Sequence, residues 1–251
     1  MAIKVTLITQ ARLGSKRFPQ KILKEIKGKS LLQIHIERLK KCTKVSEIII
    51  ATTTNKADEL IFKKALDWNV SCFKGSENDV LDRFFLSVKD RNPDFIVRVT
   101  SDCPLIDPIL IDQIIEYAII KNVDYCSNNL VEHFPDGQDV EVMKFSALKN
   151  AWKHAKLNSE REHVTPYIRN NSSFNGISKF SSVNFKCKNN FSSVRMTVDE
   201  QNDFDMIEQL IQSLGINKSW LQYTEHILKY NLNKINNNFR NEGYYNSLNK
   251  D

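Results

Sequence analysis

Glycine and proline are scarce in this chain of 251 residues, at 7 and 6. That scarcity excludes collagen-like repeats, flexible Gly-rich linkers and proline-rich recognition segments. No apolar run approaches the roughly 18 residues that a membrane-spanning helix needs, so no transmembrane span is expected. The opening MAIKVTLI reads directly as a strand and lacks the basic region, apolar stretch and small-residue cleavage site of a signal peptide. The five cysteines, Cys42, Cys72, Cys103, Cys126 and Cys187, stand singly and form no CxxC pair. A zinc site or disulfide framework is therefore not expected, and a reducing cytoplasm fits the chain best. Neither the P-loop pattern GxxxxGK[ST] nor the dinucleotide pattern GxGxxG occurs.

Acidic residues are also missing where basic ones gather. Residues 1–44 hold twelve Lys and Arg against Glu25 and Glu37 alone, a local excess of +10 in a chain of net charge +6. The remainder thus carries −4. A nucleic-acid binder could place such a patch there. The patch is short, however, and has no interleaved aromatics beyond Phe18. A small polyanion such as a triphosphate suits it better, and neither a nucleic acid nor a membrane is expected as a partner.

The 41% hydrophobic content supplies a sizeable core. Apolar runs bounded by turn residues alternate with amphipathic stretches. Strands are expected over 3–9, 47–53, 70–73, 94–100 and 123–126, with helices over 30–42, 56–68, 79–90 and 108–121. This alternation implies a three-layer α/β/α Rossmann-like fold with a mainly parallel sheet. Ligands of such sheets bind at the carboxyl ends of the strands, which here gathers residues 10–21, the segment after Thr53, and residues 101–107 at one crevice. From about Asn128 the pattern loosens, and this half is expected to add strands and a small lobe that closes on substrate. Terminal helices are expected over 203–214 and 219–230. A single domain over 1–230 is expected, with a nucleotide-binding part to about 127 and an acceptor-binding part over about 128–200. Residues 231–251 read as an Asn-rich tail.

Chemistry concentrates in a few segments. In QARLGSKRFPQK, residues 10–21, Gly14 and Ser15 allow a tight turn whose backbone N–H groups can face phosphate oxygens. Arg12, Lys16, Arg17 and Lys21 add charge, and arginine forks match phosphate geometry. A basic surface loop with a turn glycine is the competing interpretation of the same residues. In RVTSDCPLIDP, residues 98–108, Asp102 falls just past a buried strand, where a carboxylate is the usual hard ligand for Mg²⁺. Asp107, before Pro108 and a helical run, suits a helix N-cap. Asp139 and Glu141 are read as two apart on a strand, sharing one face that a cation or a hydroxyl-rich ligand would satisfy. His35 and His154 lie in helical patterns as packing or surface residues.

The segment over 10–21 resembles the N-terminal signature of the cytidylyltransferases that make CMP-activated acidic sugars, most closely their spore-coat polysaccharide branch. Gln10, Ala11, Arg12, Ser15, Arg17, Pro19 and Lys21 match it. Further matches follow in order: KSLL at 29–32, Ala51-Thr52, Gly75-Ser76 with Asp79 to Leu81 and Arg83, and the segment over 98–108. FPDGQDVEV at 134–142, REHVTP at 161–166 and RMTVD at 195–199 complete the set. The similarity spans about residues 3 to 205.

The resemblance implies a nucleotide site of Gln10, Ala11, Arg12, Gly14, Ser15, Arg17, Lys21, Thr52, Gly75, Arg83 and Ser101. It implies metal binding at Asp102 and Asp199, and an acceptor site containing Asp139, Glu141, Arg161 and His163. Arg12, Lys21 and Asp102 are the expected catalytic residues. The implied reaction transfers CMP from CTP to an acidic or phosphorylated acceptor in a Mg²⁺-dependent homodimer, with release of pyrophosphate. Three other interpretations stay open. One is a GT-A-like glycosyltransferase, whose DxD motif is matched only by Asp203-Phe-Asp205 within a predicted helix. The others are a nucleotidyltransferase for another NTP and a non-catalytic nucleotide binder.

Overall fold

Short runs rich in Val, Ile and Thr form a seven-stranded sheet in the computed structural model, which describes residues 3–15, 17–236, 245, 247, 248 and 251. In chain order the elements are β1 (Val5–Gln10), β2 (Glu25–Ile26), β3 (Lys29–Ser30), α1 (Leu31–Leu39), β4 (Glu47–Thr53), α2 (Glu59–Asp67), β5 (Ser71–Gly75), α3 (Val80–Val88) and β6 (Phe95–Thr100). They continue with α4 (Pro108–Lys121), β7 (Tyr125–Ser127), β8 (Glu141–Lys144), α5 (Phe145–His154), α6 (Asn158–His163), α7 (Pro166–Asn170), β9 (Ser182–Asn184), α8 (Gln201–Leu214) and α9 (Trp220–Lys229). The sheet order is β5-β4-β1-β6-β8-β7-β9. β5, β4, β1 and β6 run parallel, and β8 pairs antiparallel with both β6 and β7. β2 and β3 form a separate hairpin.

Both faces of the sheet are covered, which is why its strands read as continuous apolar runs. Leu7, Ile50, Val97 and Val142 pack one way, against Leu32 and Ile36 of α1 and Ile111 of α4. Ile8, Ile49, Ile96 and Met143 pack the other way, against α3 and α5. A third apolar cluster joins Phe18 and Leu31 to Met206, Leu210 and Tyr223 of α8 and α9. The result is the expected three-layer α/β/α fold with a mainly parallel sheet. The later segments β8 and β9 complete the same sheet as the earlier strands.

Capping explains where the helices begin. Ser30 Oγ accepts the Gln33 N–H and starts α1. Asp107 Oδ1 accepts the Ile109 N–H, and Pro108 occupies the first turn of α4, so the predicted N-cap holds. The helix expected over 56–68 differs. Its first turn is a 3₁₀ turn, and α2 begins only at Glu59. Asp58 is turned inward there, accepting the Leu13 N–H at 2.7 Å and the Thr53 hydroxyl. No described helix is long and apolar enough to cross a membrane. Lys16 and most of the expected tail from 237 onward lie outside the described residues.

Candidate active site

The basic loop leaves β1 at the carboxyl edge of the sheet and alternates inward anchors with outward charge. Leu13, Phe18 and Ile22 are buried, and the Phe18 ring meets Phe204 of α8 edge-on at 6.1 Å between centroids. Asp58 ties down the loop backbone at Leu13, and Ser15 Oγ accepts the Phe18 N–H. Arg12 and Arg17 are consequently exposed beside the turn at Gly14. Glu77, from the loop between β5 and α3, reaches into this turn. Its Oε1 is 3.4 Å from Arg12 Nη1 and 3.5 Å from where a Cβ on Gly14 would sit. Asn55 Nδ2 donates to its other oxygen at 2.7 Å. Glu77 is thus held beside the Gly14 turn by the Arg12 and Asn55 side chains.

Asp102 sits in the tight turn after β6, closed by the Cys103 N–H donating to Thr100 O. His35 braces that turn from below. Its Nδ1 lies 2.9 Å from Cys103 O and its Nε2 3.0 Å from Thr9 Oγ1. A carbonyl only accepts, so Nδ1 carries the proton and Nε2 accepts from the threonine. Burial pushes His35 down to about 4, which matches its neutral role in packing. The strand-like segment over 195–199 is stitched to the same turn, because the Val198 N–H donates to Asp102 O at 2.8 Å. Asp102 and Asp199, 97 positions apart in the chain, therefore face one point.

Lys21 occupies that point. Its Nζ is 3.1 Å from Asp102 Oδ2 and 2.8 Å from Asp199 Oδ1, and Arg17 Nη2 lies 3.1 Å from the same Asp199 oxygen. Burial opposes the ammonium charge, but the charges of Asp102 and Asp199 raise the Lys21 pKa above its ordinary value. For Asp102, burial works toward protonation. Lys21 and the Thr100 hydroxyl overcome it and hold the carboxyl far below the usual range. Asp199 does not cap α8; Asp203 instead accepts the N–H groups of Asp199 and Glu200.

Two carboxylates converging on a cation are a donor set that a hard divalent ion can use. Among the described residues no group of three or more His, Cys, Asp or Glu is arranged to hold a metal. A pair that leaves other positions to phosphate oxygens and water suits Mg²⁺, which binds through one or two carboxylates.

Other predicted site residues are placed differently. Thr52 is fully buried within the sheet, and its hydroxyl has no hydrogen-bond partner. Gly75 makes room for Arg83: a Cβ there would come within 3.0 Å of the Arg83 side chain and of the Phe73 ring. Arg83 is buried and donates to Ser76 O, so it supports the turn carrying Glu77 from beneath. Burial and the nearby Arg12 charge push it down to about 10. Ser101 is 5% exposed beside Asp102. Gln10 Oε1 accepts from Arg98 Nη2 at 3.3 Å, and the Ala11 N–H donates to Ala51 O.

The expected acceptor set divides. Asp139 precedes β8, so the shared strand face expected with Glu141 is not formed. Glu141 is buried, paired with Arg98, and accepts the Tyr125 hydroxyl at 2.5 Å. Burial would raise its pKa, yet the Arg98 charge and the hydroxyls of Thr165 and Tyr125 hold it below the ordinary value. Arg161 is engaged by Asp79, with Nη2 at 2.6 Å and Nε at 2.7 Å from Oδ2, and also donates to Trp152 O and Ala155 O. Its role here is to pin α6 to the start of α3. His163 ends α6 beside Val164, whose φ of 72° and ψ of −54°, with the Thr165 N–H donating to His163 O, make a strained γ-turn. Burial pushes His163 down to about 4.

Sequence reasoning did not foresee Asp58, Glu77 or the roles of Arg98, Asp136 and Asp203. The motif blocks contained Arg98 and Asp136, but a motif does not say which way a side chain turns.

A doubly wound sheet with a basic loop and a carboxylate pair at its carboxyl edge defines a nucleotidyltransferase. The cytidylyltransferase family model matches residues 6–241, and the chain belongs to that family. The match runs well past the last motif recognised in the sequence. The chain is 37% identical to the uncharacterized protein MJ1063 of Methanocaldococcus jannaschii, over 96% of this chain and 98% of that one. It is 29% identical to the spore coat polysaccharide biosynthesis protein SpsF of Bacillus subtilis, over 84% of this chain and 88% of that one. A solved cytidylyltransferase from Leptospira borgpetersenii superposes with a TM-score of 0.86 at 29% identity, covering 95% of this chain and 98% of that one.

Proposed function

We propose that the protein transfers the cytidylyl group of CTP to an oxygen of an acidic sugar or phosphorylated acceptor, in surface-polysaccharide synthesis, with Mg²⁺ as cofactor. The acceptor oxygen forms a bond to the α-phosphorus, the bond from that phosphorus to the bridging oxygen breaks, and pyrophosphate leaves. The observation that carries this reading is Lys21 bridging Asp102 and Asp199 beside the Gly14 turn.

The chain's own residues divide the work. Arg12 and the Gly14 turn receive phosphate oxygens where Glu77 now sits. Lys21 and Arg17, on leaving the carboxylates, follow charge onto the departing pyrophosphate. Asp102 and Asp199 would hold Mg²⁺, which supplies Lewis-acid polarisation of the α-phosphate when bound. Positioning and electrostatics dominate, as in phosphoryl transfer generally. The SpsF relative's name supports the polysaccharide setting, and the family supports CTP as donor. A homodimer belongs to the same reading, and light scattering of the purified protein tests it.

The test is pyrophosphate release with each of the four NTPs and Mg²⁺ against acidic sugars and phosphorylated polyols. Release with CTP and one acceptor class is the expected result. Release with a different NTP overturns the base assignment. Absence of both turnover and CTP binding overturns the reading.

A further inference from the structure

The segment over 134–138, FPDGQ, opens the motif that also holds Asp139 and Glu141, and it packs against both carboxylate-bearing loops. Its side chains hold the protein together at two separate places.

Toward Asp199, Asp136 Oδ2 lies 2.5 Å from Arg195 Nη1. The same guanidinium places Nη2 2.7 Å from Asp199 Oδ2 and Nε 2.9 Å from Asp203 Oδ1. One planar fork therefore serves three carboxylates, a geometry that lysine cannot copy. Burial opposes the Arg195 charge, but the Asp203 hydrogen bond and the surrounding carboxylates raise its pKa well above the usual value. With Oδ2 fixed by Arg195, Asp199 has Oδ1 left to face Lys21.

The backbones are equally close. The Asp136 N–H donates to Val194 O at 2.9 Å, and the Met196 N–H donates to Asp136 O at 2.6 Å. Gly137 has φ of 97°, and a Cβ there would stand 2.6 Å from Met196 C and 2.7 Å from Thr197 N. Only glycine permits this approach.

Toward Asp102, the fully buried Gln138 spans the loop that follows it. Its Nε2 donates to Leu105 O at 3.1 Å, and its Oε1 accepts the Asp107 N–H at 2.9 Å. One five-residue segment thus grips the Asp102 loop with one side chain and the Asp199 segment with another.

We propose that Asp136, Gln138 and Arg195 are positioning residues that set the spacing between the Asp102 and Asp199 carboxylates. This rests on the reading of those two aspartates as the metal site. Groups that orient metal ligands without touching the ion are typically worth about 10- to 100-fold in metal affinity. The contacts of Asp136, Gln138 and Arg195 described above run to residues 105–107 and 194–203, so their effect falls on metal binding.

The experiment measures Mn²⁺ binding by electron paramagnetic resonance in the presence of a non-hydrolysable CTP analogue, and analogue binding in EDTA. The proteins are native, Asp136→Asn, Gln138→Leu, Arg195→Lys, Asp102→Asn and Asp199→Asn. The expected result is an Mn²⁺ dissociation constant raised about 10-fold or more in Asp136→Asn and Arg195→Lys, and raised in Gln138→Leu. Metal-free analogue binding should stay within about twofold of native. Asp136→Asn keeps shape and hydrogen bonding, so it carries the test if Arg195→Lys does not fold. Native Mn²⁺ affinity in Asp136→Asn and Gln138→Leu, with binding lost in Asp199→Asn, overturns the positioning role and leaves the metal site standing. Native affinity in both Asp102→Asn and Asp199→Asn overturns the metal site, and the positioning role with it.

Discussion

Two clusters of paired charges lie at the carboxyl edge of the sheet, built from similar residues but used differently. In the first, Lys21 and Arg17 face Asp102 and Asp199, whose side chains keep 28% and 21% of their surface exposed. In the second, Arg98 and Glu141 pair with side chains only 13% and 6% exposed. Charges that touch solvent can exchange one counter-ion for another at modest cost. Buried pairs cannot, because removing one partner strands the other in a low dielectric. The partly exposed carboxylates of the first cluster can therefore change partner, whereas the second pair holds β6 to β8.

The difference can be broken most sharply at Asp102. Asp102→Asn should lower turnover about a thousandfold while the circular-dichroism spectrum and melting temperature stay near native. A variant within tenfold of native turnover would move Asp102 out of the chemistry and into the structural class of Glu141.

The opposite result is expected for Glu141→Gln. Leaving the Arg98 charge buried without its counter-ion should cost about 3 kcal/mol of stability in urea unfolding. In whatever fraction stays folded, the metal requirement should be unchanged. A native unfolding curve would show that the pair is exchangeable after all.

Lys21→Met sharpens the comparison from the cation's side. Turnover should fall about a hundredfold through poorer triphosphate handling. At the same time the freed aspartates should bind Mn²⁺ more tightly than native protein in the absence of nucleotide. Weaker Mn²⁺ binding would mean that the ammonium organises the carboxylates instead of occupying their site.

A pH-dependent effect, absent at neutral pH, concerns the packing beneath the first cluster. The His35 pKa near 4 in the folded state lies below its ordinary 6.5, so the unfolded chain takes up the proton first as pH falls. Its contribution to stability is complete above pH 6.5 and is lost between pH 6.5 and about 4, at up to about 1.4 kcal/mol per pH unit. Urea titrations across that range should show the slope, and His35→Gln should flatten it.

Much of this architecture was legible in the chain. Strand and helix alternation gave the layer order, and helix 108–121 was placed to the residue because Asp107-Pro108 is an unambiguous start. The basic segment over 10–21 and the aspartates at 102 and 199 meet in one place, as expected. Departures fell where a side chain chose an inward partner over the local pattern. Asp58 shortened a helix to hold Leu13, Glu141 turned to Arg98, and Arg161 turned to Asp79.

Local periodicity, capping and motif order are properties of neighbouring residues, so the sequence by itself determined the strands and helices of the first half, the terminal helices, the layered α/β class and the family to which the chain belongs. Ion-pair partners lie tens to hundreds of positions away, and a carboxylate has the same letter whether it faces solvent, lysine or a buried arginine. Only the tertiary structure decided that Asp136 serves Arg195, that Glu77 pairs with Arg12 beside the Gly14 turn, and that Lys21 stands between Asp102 and Asp199. Burial and distance set the strength of each of those contacts, and neither is written in the chain until it folds.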